Sequence, residues 1–241
     1  MIKSVMVNNQ DVQIHYLDTK PESDLQLTPM VICPGLSETA EEYEDLLTFL
    51  LPRRAIVLSF RGRGNSDTPQ MHYDLEDHLS DLAAVIQDAS IDCFHLMGYS
   101  RGVSYALGYA QLHVNRLTSL IVEDYPPEHK QMSPEWAEDY ISNYLVPSGR
   151  VNNISPEAVR GIQRESTQLE LEAKLSLPTL VLYGLQEGSL LKETDLSKYK
   201  QLFSDITVRP FVQSGHNIRG TEKSRLYESI KHFLNEADSI R

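Results

Sequence analysis

The sequence has little of the chemistry that marks secreted, metal-binding or nucleic-acid-binding proteins. Two cysteines in 241 residues are too few for a disulfide scaffold. Lysine and arginine are also scarce, at 22 against 34 aspartates and glutamates, which gives a net charge of −12. Because nucleic acids and anionic membranes attract basic surfaces, this balance argues against both as partners.

Long apolar runs and targeting signals are missing as well. No stretch approaches the roughly 20 apolar residues of a membrane-spanning helix. The opening residues, Met1–Val5, do not begin a signal peptide, so we expect a cytoplasmic protein. Neither Cys33 and Cys93 nor the eight histidines show metal-ligand spacing, and we expect no metal and no cofactor.

What remains is the composition of an ordinary globular protein, and its apolar residues are arranged periodically. Hydrophobic residues make up 41% of the chain and charged residues 23%, within the length of one α/β domain. Residues 2–7 and 12–16 predict a hairpin. Thr39 and Glu42 form a capping-box pattern that predicts a helix start. Further helices are predicted from about Asp74 and from about Thr221.

The most informative segment is Gly98-Tyr99-Ser100-Arg101-Gly102. An apolar, strand-like run precedes it, and a helix-like run follows it. A G-x-S-x-G pattern between a strand and a helix is typical of a nucleophile elbow, in which the serine lies on a very tight turn. The turn exposes the serine hydroxyl above the edge of the sheet, and the helix N-terminus favours negative charge there.

A histidine and two acids follow other predicted strands. His216 comes after the strand-like residues 206–212, and Glu187 comes after residues 180–184. Asp124 ends the strand-like run 117–122. A serine hydroxyl needs a base to act as a nucleophile, and imidazole suits that task near neutral pH. Since functional groups in parallel sheets gather at the carboxyl ends of strands, these side chains are expected on one rim.

Together these motifs resemble the α/β-hydrolase superfamily over nearly the whole chain. Residues 61–67, Arg-Gly-Arg-Gly-Asn-Ser-Asp, are similar to the family's loop after the fourth strand. The resemblance implies an α/β fold with a mostly parallel eight-stranded sheet flanked by helices. It also implies a core domain of residues 1–124 and 178–241, with a small helical cap at residues 125–177 inserted after the sixth strand.

The same resemblance assigns roles to individual residues. It implies that Ser100 is the nucleophile, His216 the base and Glu187 the acid that orients the base. The backbone N–H groups of Leu36 and Arg101 are expected to form the oxyanion hole. The family's usual histidine before the glycine of the oxyanion loop is replaced here by Pro34.

Two points stay open at the level of sequence. Family enzymes generally place an aspartate where this chain has Glu187, but some take the acid from the end of the sixth strand, where Asp124 lies. We favour Glu187. The Arg101 side chain has two possible partners, Asp124 or an anionic substrate.

The predicted cap carries two further patterns. Trp136, Tyr140 and Tyr144 recur at helical spacing and either pack the cap onto the core or, for Trp136 or Tyr140, line the substrate pocket. Arg160 and Arg164 lie one helical turn apart and are expected to form ion pairs on a solvated face.

The sequence therefore predicts a serine hydrolase that cleaves a small ester-like substrate, a carboxylic ester or thioester, through an acyl-enzyme. The expected partner is the small-molecule substrate alone, and the expected assembly is a monomer or homodimer. The alternative is a small-molecule sensor or signalling protein on the same fold, with slow or no turnover.

Overall fold

Strands and helices alternate through the chain, which we describe from a computed structural model covering residues 2–170 and 174–239. The strands are β1 (Lys3–Asn9), β2 (Val12–Asp18), β3 (Met30–Cys33), β4 (Ala55–Ser59), β5 (Phe94–Tyr99), β6 (Leu117–Glu123), β7 (Glu128–His129), β8 (Leu169–Glu170), β9 (Thr179–Gly184) and β10 (Ile206–Phe211). The α-helices are α1 (Glu44–Leu50), α2 (Leu75–Asp88), α3 (Gly102–His113), α4 (Trp136–Tyr140), α5 (Pro156–Glu165), α6 (Glu193–Leu202), α7 (Ile218–Thr221) and α8 (Lys223–Ser239).

Eight of the strands form one sheet in the order β1-β2-β4-β3-β5-β6-β9-β10. The strand β2 pairs in antiparallel fashion with β1 and with β4, and the remaining neighbours are parallel. The expected mostly parallel, eight-stranded sheet flanked by helices is thereby confirmed. Its parallel strands end along a common edge, where the proposed site residues lie.

Local sequence signals account for where several elements begin. The Glu42 carboxylate accepts a hydrogen bond from the Thr39 N–H at 3.0 Å, and a short 3-10 turn there leads into α1. Asp74 caps α2 by accepting from the Asp77 N–H at 2.9 Å. These side chains satisfy N–H groups that the first turn of a helix leaves unpaired.

Apolar side chains cover both faces of the sheet. One cluster joins the sheet to α2 and α3, with Leu82, Val85 and Ala106 among its members. A second cluster on the opposite face joins the sheet to α1 and α8, with Leu47 and Ile230 among its members. Every residue of β4 and β6 is buried, as expected for parallel strands covered on both sides. This packing fixes the ends of β5 and β6 relative to each other.

The segment predicted as a cap, residues 125–177, runs between β6 and β9 and contains β7, α4, α5 and β8. Residues 171–173 of that segment lie outside the described residues. The strands β7 and β8 form a short antiparallel ribbon, while Ala137, Ile141 and Val159 pack against Tyr73 in a third apolar cluster. Within the described residues, no helix has the length and apolar character needed to cross a membrane.

Candidate active site

The turn between β5 and α3 presents Ser100 in a conformation that few residues adopt. Its φ angle is 53°, in the left-handed region that costs an ordinary side chain about 1 kcal/mol or more. The turn is also crowded: a Cβ atom on Gly98 would lie 2.6 Å from the Gly102 carbonyl oxygen, and one on Gly102 would lie 2.1 Å from the Cys33 carbonyl oxygen. Glycine at both flanking positions is therefore a steric requirement of this turn.

Ser100, His216 and Asp124 form a continuous hydrogen-bonded chain. The His216 Nε2 atom lies 3.0 Å from Ser100 Oγ, and His216 Nδ1 lies 2.7 Å from Asp124 Oδ2. Because a carboxylate accepts, Nδ1 carries the proton and Nε2 faces the serine as an acceptor. The structure thus joins the predicted Ser100 and His216 in the arrangement that a general base requires.

The register of two neighbouring strands explains why Asp124 lies beside Ser100. Tyr99, the last residue of β5, pairs with Glu123, the last residue of β6. Ser100 and Asp124 therefore leave the sheet at the same level, and the Ser100 N–H donates to the Glu123 carbonyl at 2.9 Å. Asp124 also has a positive φ of 50°, which turns its side chain out of the strand direction.

The end of β9 and the loop after it surround the Asp124 carboxylate with hydrogen-bond donors. The Gly184 N–H donates to Oδ1 at 3.3 Å and the Ser189 hydroxyl donates to Oδ1 at 2.5 Å. The Leu190 N–H donates to Oδ2 at 3.0 Å. Asp124 is fully buried, so these donors replace water and fix the direction in which the carboxylate faces His216.

This geometry corrects the expected role of Glu187. Its side chain is exposed to solvent, and the acid that contacts His216 is Asp124. The backbone carbonyl of Glu187 lies so close to Gly215 that a Cβ there would approach it to 2.3 Å. The loop predicted to carry the acid instead supplies the donors that hold the acid of β6.

The ring of Tyr99 supports the histidine from below. The two rings stack with centroids 5.0 Å apart and an angle of 22°, and the Tyr99 hydroxyl donates to the His216 carbonyl at 3.3 Å. An imidazole held on one face by an aromatic ring has less freedom to rotate away from Ser100.

Leu36 and Arg101, the predicted oxyanion-hole residues, flank the serine through their backbones. Leu36 follows β3, and the close approach of Gly102 to the Cys33 and Pro34 carbonyls brings this loop against the start of α3. Among the described residues, neither the Leu36 N–H nor the Arg101 N–H donates to another protein group. Both donors are therefore available to an oxygen atom beside Ser100.

The Arg101 side chain does not pair with Asp124. It is 2% exposed and lies beneath the predicted cap, where Nη2 is 3.0 Å from His129 Nε2 and 2.5 Å from Ser166 Oγ. Burial and the Arg101 charge lower the pKa of His129 to about 4, so this imidazole is neutral near pH 7 and accepts the hydrogen bond. The elbow is thereby tied to the segment above it.

The aromatic residues and the arginines of the predicted cap lie in different surroundings. Trp136 and Tyr140 stack at 5.2 Å and pack on the third apolar cluster, while Tyr144 is 44% exposed. The expected surface ion pairs of Arg160 and Arg164 are confirmed. Arg160 binds Glu138 at 2.6 Å and Arg164 binds Glu165 at 2.5 Å, and both arginines are exposed.

Behind the hydrogen-bonded chain lies a buried group of charges that the sequence pattern does not indicate. Glu38 accepts from the Gly35 N–H at 3.0 Å and forms an ion pair with Arg219, three residues after His216. Glu123 lines a small cavity with Arg219. Burial raises the pKa of Glu123 to about 8, Arg219 opposes the rise, and Glu38 and Asp124 add to it.

Sequence alone offers one signal for Asp124 and none for this buried charge group. Ser100 and Asp124 each stand immediately after an apolar strand, so the two positions match once β5 and β6 are known to be neighbours. Arg219 and Glu38 are 181 residues apart, and no local pattern connects them.

Comparisons with known proteins agree with this architecture. A family model described as the alpha/beta hydrolase fold matches residues 28–145. The AB hydrolase superfamily protein YisY of Bacillus subtilis is 25% identical over 92% of this chain and 99% of its own length. A 2-(acetamidomethylene)succinate hydrolase of Mesorhizobium japonicum is 20% identical over 85% of this chain and 87% of its own.

A solved structure shows the same fold. An esterase from Exiguobacterium antarcticum superposes with a TM-score of 0.81, at 20% identity, covering 97% of this chain and 100% of the esterase. The sheet order, the family-model match and this superposition lead to one conclusion: the chain has the α/β-hydrolase fold.

Proposed function

We propose that this protein is a serine hydrolase that cleaves small ester-like substrates, carboxylic esters or thioesters, through an acyl-enzyme. The observation that carries the proposal is the chain of hydrogen bonds from Ser100 through His216 to Asp124. The esterase from Exiguobacterium antarcticum and the Mesorhizobium hydrolase, both similar to this chain, support a hydrolytic reaction. Among the described residues, no group of His, Cys, Asp or Glu is arranged to hold a metal ion.

The proposed reaction begins with attack on the carbonyl carbon. Nε2 of His216 takes the proton of Ser100 as Oγ bonds to that carbon, and the carbonyl electron pair moves onto oxygen. The N–H groups of Leu36 and Arg101 stabilise this oxyanion. The imidazolium then gives its proton to the leaving alcohol or thiol, and the acyl group stays on Ser100. Asp124 stabilises the imidazolium throughout.

Hydrolysis of the acyl-enzyme repeats these steps with water. Nε2 of His216 takes a proton from water, the hydroxide oxygen bonds to the acyl carbon, and a second oxyanion forms. Its collapse breaks the bond to Ser100 Oγ, which recovers the proton from His216, and the carboxylic acid product leaves. Water therefore supplies the oxygen of the new C–O bond. One of its protons returns to Ser100 through His216, and the other stays on the carboxylic acid product.

The test is hydrolysis of 4-nitrophenyl esters from acetyl to decanoyl by the wild-type protein and by Ser100→Ala. We expect turnover by the wild type, with a chain-length profile that measures the acyl pocket, and loss of turnover in the variant. A fluorophosphonate probe should label the wild type and leave Ser100→Ala unlabelled. A wild type that labels without turning over any ester would favour the sensor alternative, and one that neither labels nor reacts would overturn the proposal.

A further inference from the structure

Two buried arginines beside the candidate active site carry positive charge that no acid balances. Arg63 is 1% exposed and Arg101 is 2% exposed. Across residues 2–170 and 174–239, neither guanidinium forms an ion pair with a carboxylate. Buried charges in proteins are normally paired, because leaving one unpaired costs several kcal/mol. In a chain with 34 acidic residues, this lack of a partner calls for an explanation.

The groups that form hydrogen bonds with Arg63 are electrically neutral. Its Nε atom donates to the Leu36 carbonyl at 3.0 Å, and Nη1 donates to the Arg61 carbonyl at 2.6 Å. Nη1 also lies 2.9 Å from His78 Nε2. Burial, followed by the Arg63 charge, lowers the pKa of His78 well below its usual value, so that imidazole is neutral too.

One nitrogen of Arg63 is left over. Its Nη2 atom is buried and has no hydrogen-bond partner among the described residues, although the Tyr105 phenol lies beside the guanidinium. The charge of Arg101 acts on this same guanidinium, and Arg101 itself lies 3.3 Å from the Tyr105 hydroxyl. The charges of Arg63 and Arg101 and the Tyr105 phenol therefore lie close together around Arg63 Nη2, which has no hydrogen-bond acceptor among the described residues.

The positions of Arg63 and Arg101 relative to Ser100 indicate what kind of acceptor could bind Arg63 Nη2. Arg101 follows Ser100 directly, and Arg63 donates to the carbonyl of Leu36, whose N–H is a proposed oxyanion donor. Ser100 is 9% exposed, so its hydroxyl is largely shielded from solvent. We expect an anionic group on a substrate at Ser100 to be attracted by Arg101, the next residue, and by Arg63, which contacts Leu36.

We infer that Arg63, with Arg101 and Tyr105, recognises a carboxylate carried by the substrate. The inference rests on the proposed function and adds a substrate class to it: esters that bear a free carboxylate near the scissile bond. A carboxylate supplies the acceptor that Nη2 lacks and balances the buried charge, whereas a neutral ester supplies neither. The neighbouring Arg61 is already balanced by Asp81, at 2.6 Å.

The experiment compares esters that differ only in charge. Monomethyl glutarate is paired with the methyl ester of glutaramic acid, and 4-acetoxybutyrate is paired with 4-acetoxybutyramide, so that the carboxylate is tested on the acyl side and on the alcohol side. We expect kcat/KM of the wild type to favour a carboxylate ester over its amide by about 10- to 100-fold, the usual effect of one charged hydrogen bond.

Variants of Arg63 then test which residue creates that preference. Arg63→Gln should reduce the carboxylate-to-amide ratio to about one, while Arg63→Lys should keep part of it. Arg160→Gln, which removes an exposed arginine paired with Glu138, should leave the ratio unchanged. The ratio separates recognition from a merely structural role, because loss of support for Leu36 would slow both esters alike.

Binding of the glutarate anion provides a measurement that does not depend on turnover. Glutarate should raise the melting temperature of Ser100→Ala, and it should fail to do so when Arg63→Gln is added. Hydrolysis of neutral and anionic esters at equal kcat/KM, with no stabilisation by glutarate, would overturn the inference and leave the proposed hydrolase intact. Stabilisation by glutarate without turnover of any ester would instead contradict the hydrolase and uphold the anion site.

Discussion

At the scale of single residues, the adjacent acids Glu123 and Asp124 have different roles because their surroundings differ. Asp124 receives three hydrogen bonds from the end of β9 and the loop that follows it, and it faces His216. Glu123, one position earlier, points to the other side of the sheet edge and is 3% exposed. Burial raises its pKa to about 8, so it is largely protonated at neutral pH while Asp124 serves as an acceptor.

The raised pKa of Glu123 predicts a specific pH dependence of stability. Above pH 4.5 the unfolded chain releases the Glu123 proton, whereas the folded protein keeps it up to about pH 8. The free energy of unfolding contributed by this group therefore falls as pH rises through that window, by at most about 1.4 kcal/mol per pH unit. Glu123→Gln, which mimics the protonated acid, should remove this fall in urea titrations between pH 6.5 and 8.

The control for that prediction is Glu187→Gln, since Glu187 is exposed. Its pH profile should run parallel to that of the wild type. A Glu123→Gln profile that also runs parallel to the wild type would show that Glu123 is ionised in the folded protein.

At the scale of elements, the close contact of the β5–α3 turn with the loop after β3 governs the site. This predicts opposite outcomes for two glycines of α3. In Gly102→Ala the new Cβ would meet backbone oxygens at 2.1 and 2.4 Å, so we expect a loss of about 3 kcal/mol or more and of all activity. In Gly108→Ala the Cβ meets only side-chain atoms, of Leu79 at 3.3 Å and of Leu75 at 3.5 Å.

Gly108→Ala is therefore the matched control, on the same helix and with the same chemical change. Alanine gains about 1 kcal/mol over glycine in a helix interior, so its free energy of unfolding should stay within about 1 kcal/mol of the wild type. Both values come from urea denaturation. Equal destabilisation by the two substitutions would contradict the steric account of the elbow.

Helices and strands could be predicted from the sequence where the interactions that define them join residues close together in the chain. The Thr39–Glu42 capping box, the Asp74 cap and the strand before Ser100 depend on neighbours within a few residues, and the structure contains each of them. The orienting acid was not predictable in this way. The choice between Glu187 and Asp124 depends on how the β9 loop folds over β6, which involves contacts about 60 residues apart.

At the scale of the whole molecule, a contact between distant parts of the chain joins the two loops that frame Ser100. Glu38 holds the Gly35 N–H of the loop after β3, and Arg219 extends from the segment that carries His216. Their ion pair is largely buried, and Arg219 also lies 4.2 Å from the centre of the Tyr43 ring. The pair therefore couples the position of the oxyanion donors to that of the base.

Breaking this pair should slow the chemical step more than it weakens binding. We expect Arg219→Gln to lower kcat about tenfold with little change in KM, since a small displacement of reacting groups costs rate before affinity. Arg225→Gln is the control, because Arg225 is half-exposed and forms its ion pair with Glu222 and not with Glu38. A change in KM alone for Arg219→Gln would place the ion pair in substrate binding instead.

The central claim is that Ser100, His216 and Asp124 act together, and the most direct test compares the two acids. The measurement is kcat/KM for 4-nitrophenyl butyrate with the wild type, Asp124→Asn and Glu187→Gln. The account predicts a loss of about 10³- to 10⁴-fold for Asp124→Asn, because an amide favours the wrong imidazole tautomer, and a change of less than about twofold for Glu187→Gln. An active Asp124→Asn, or a comparable loss in Glu187→Gln, would contradict it.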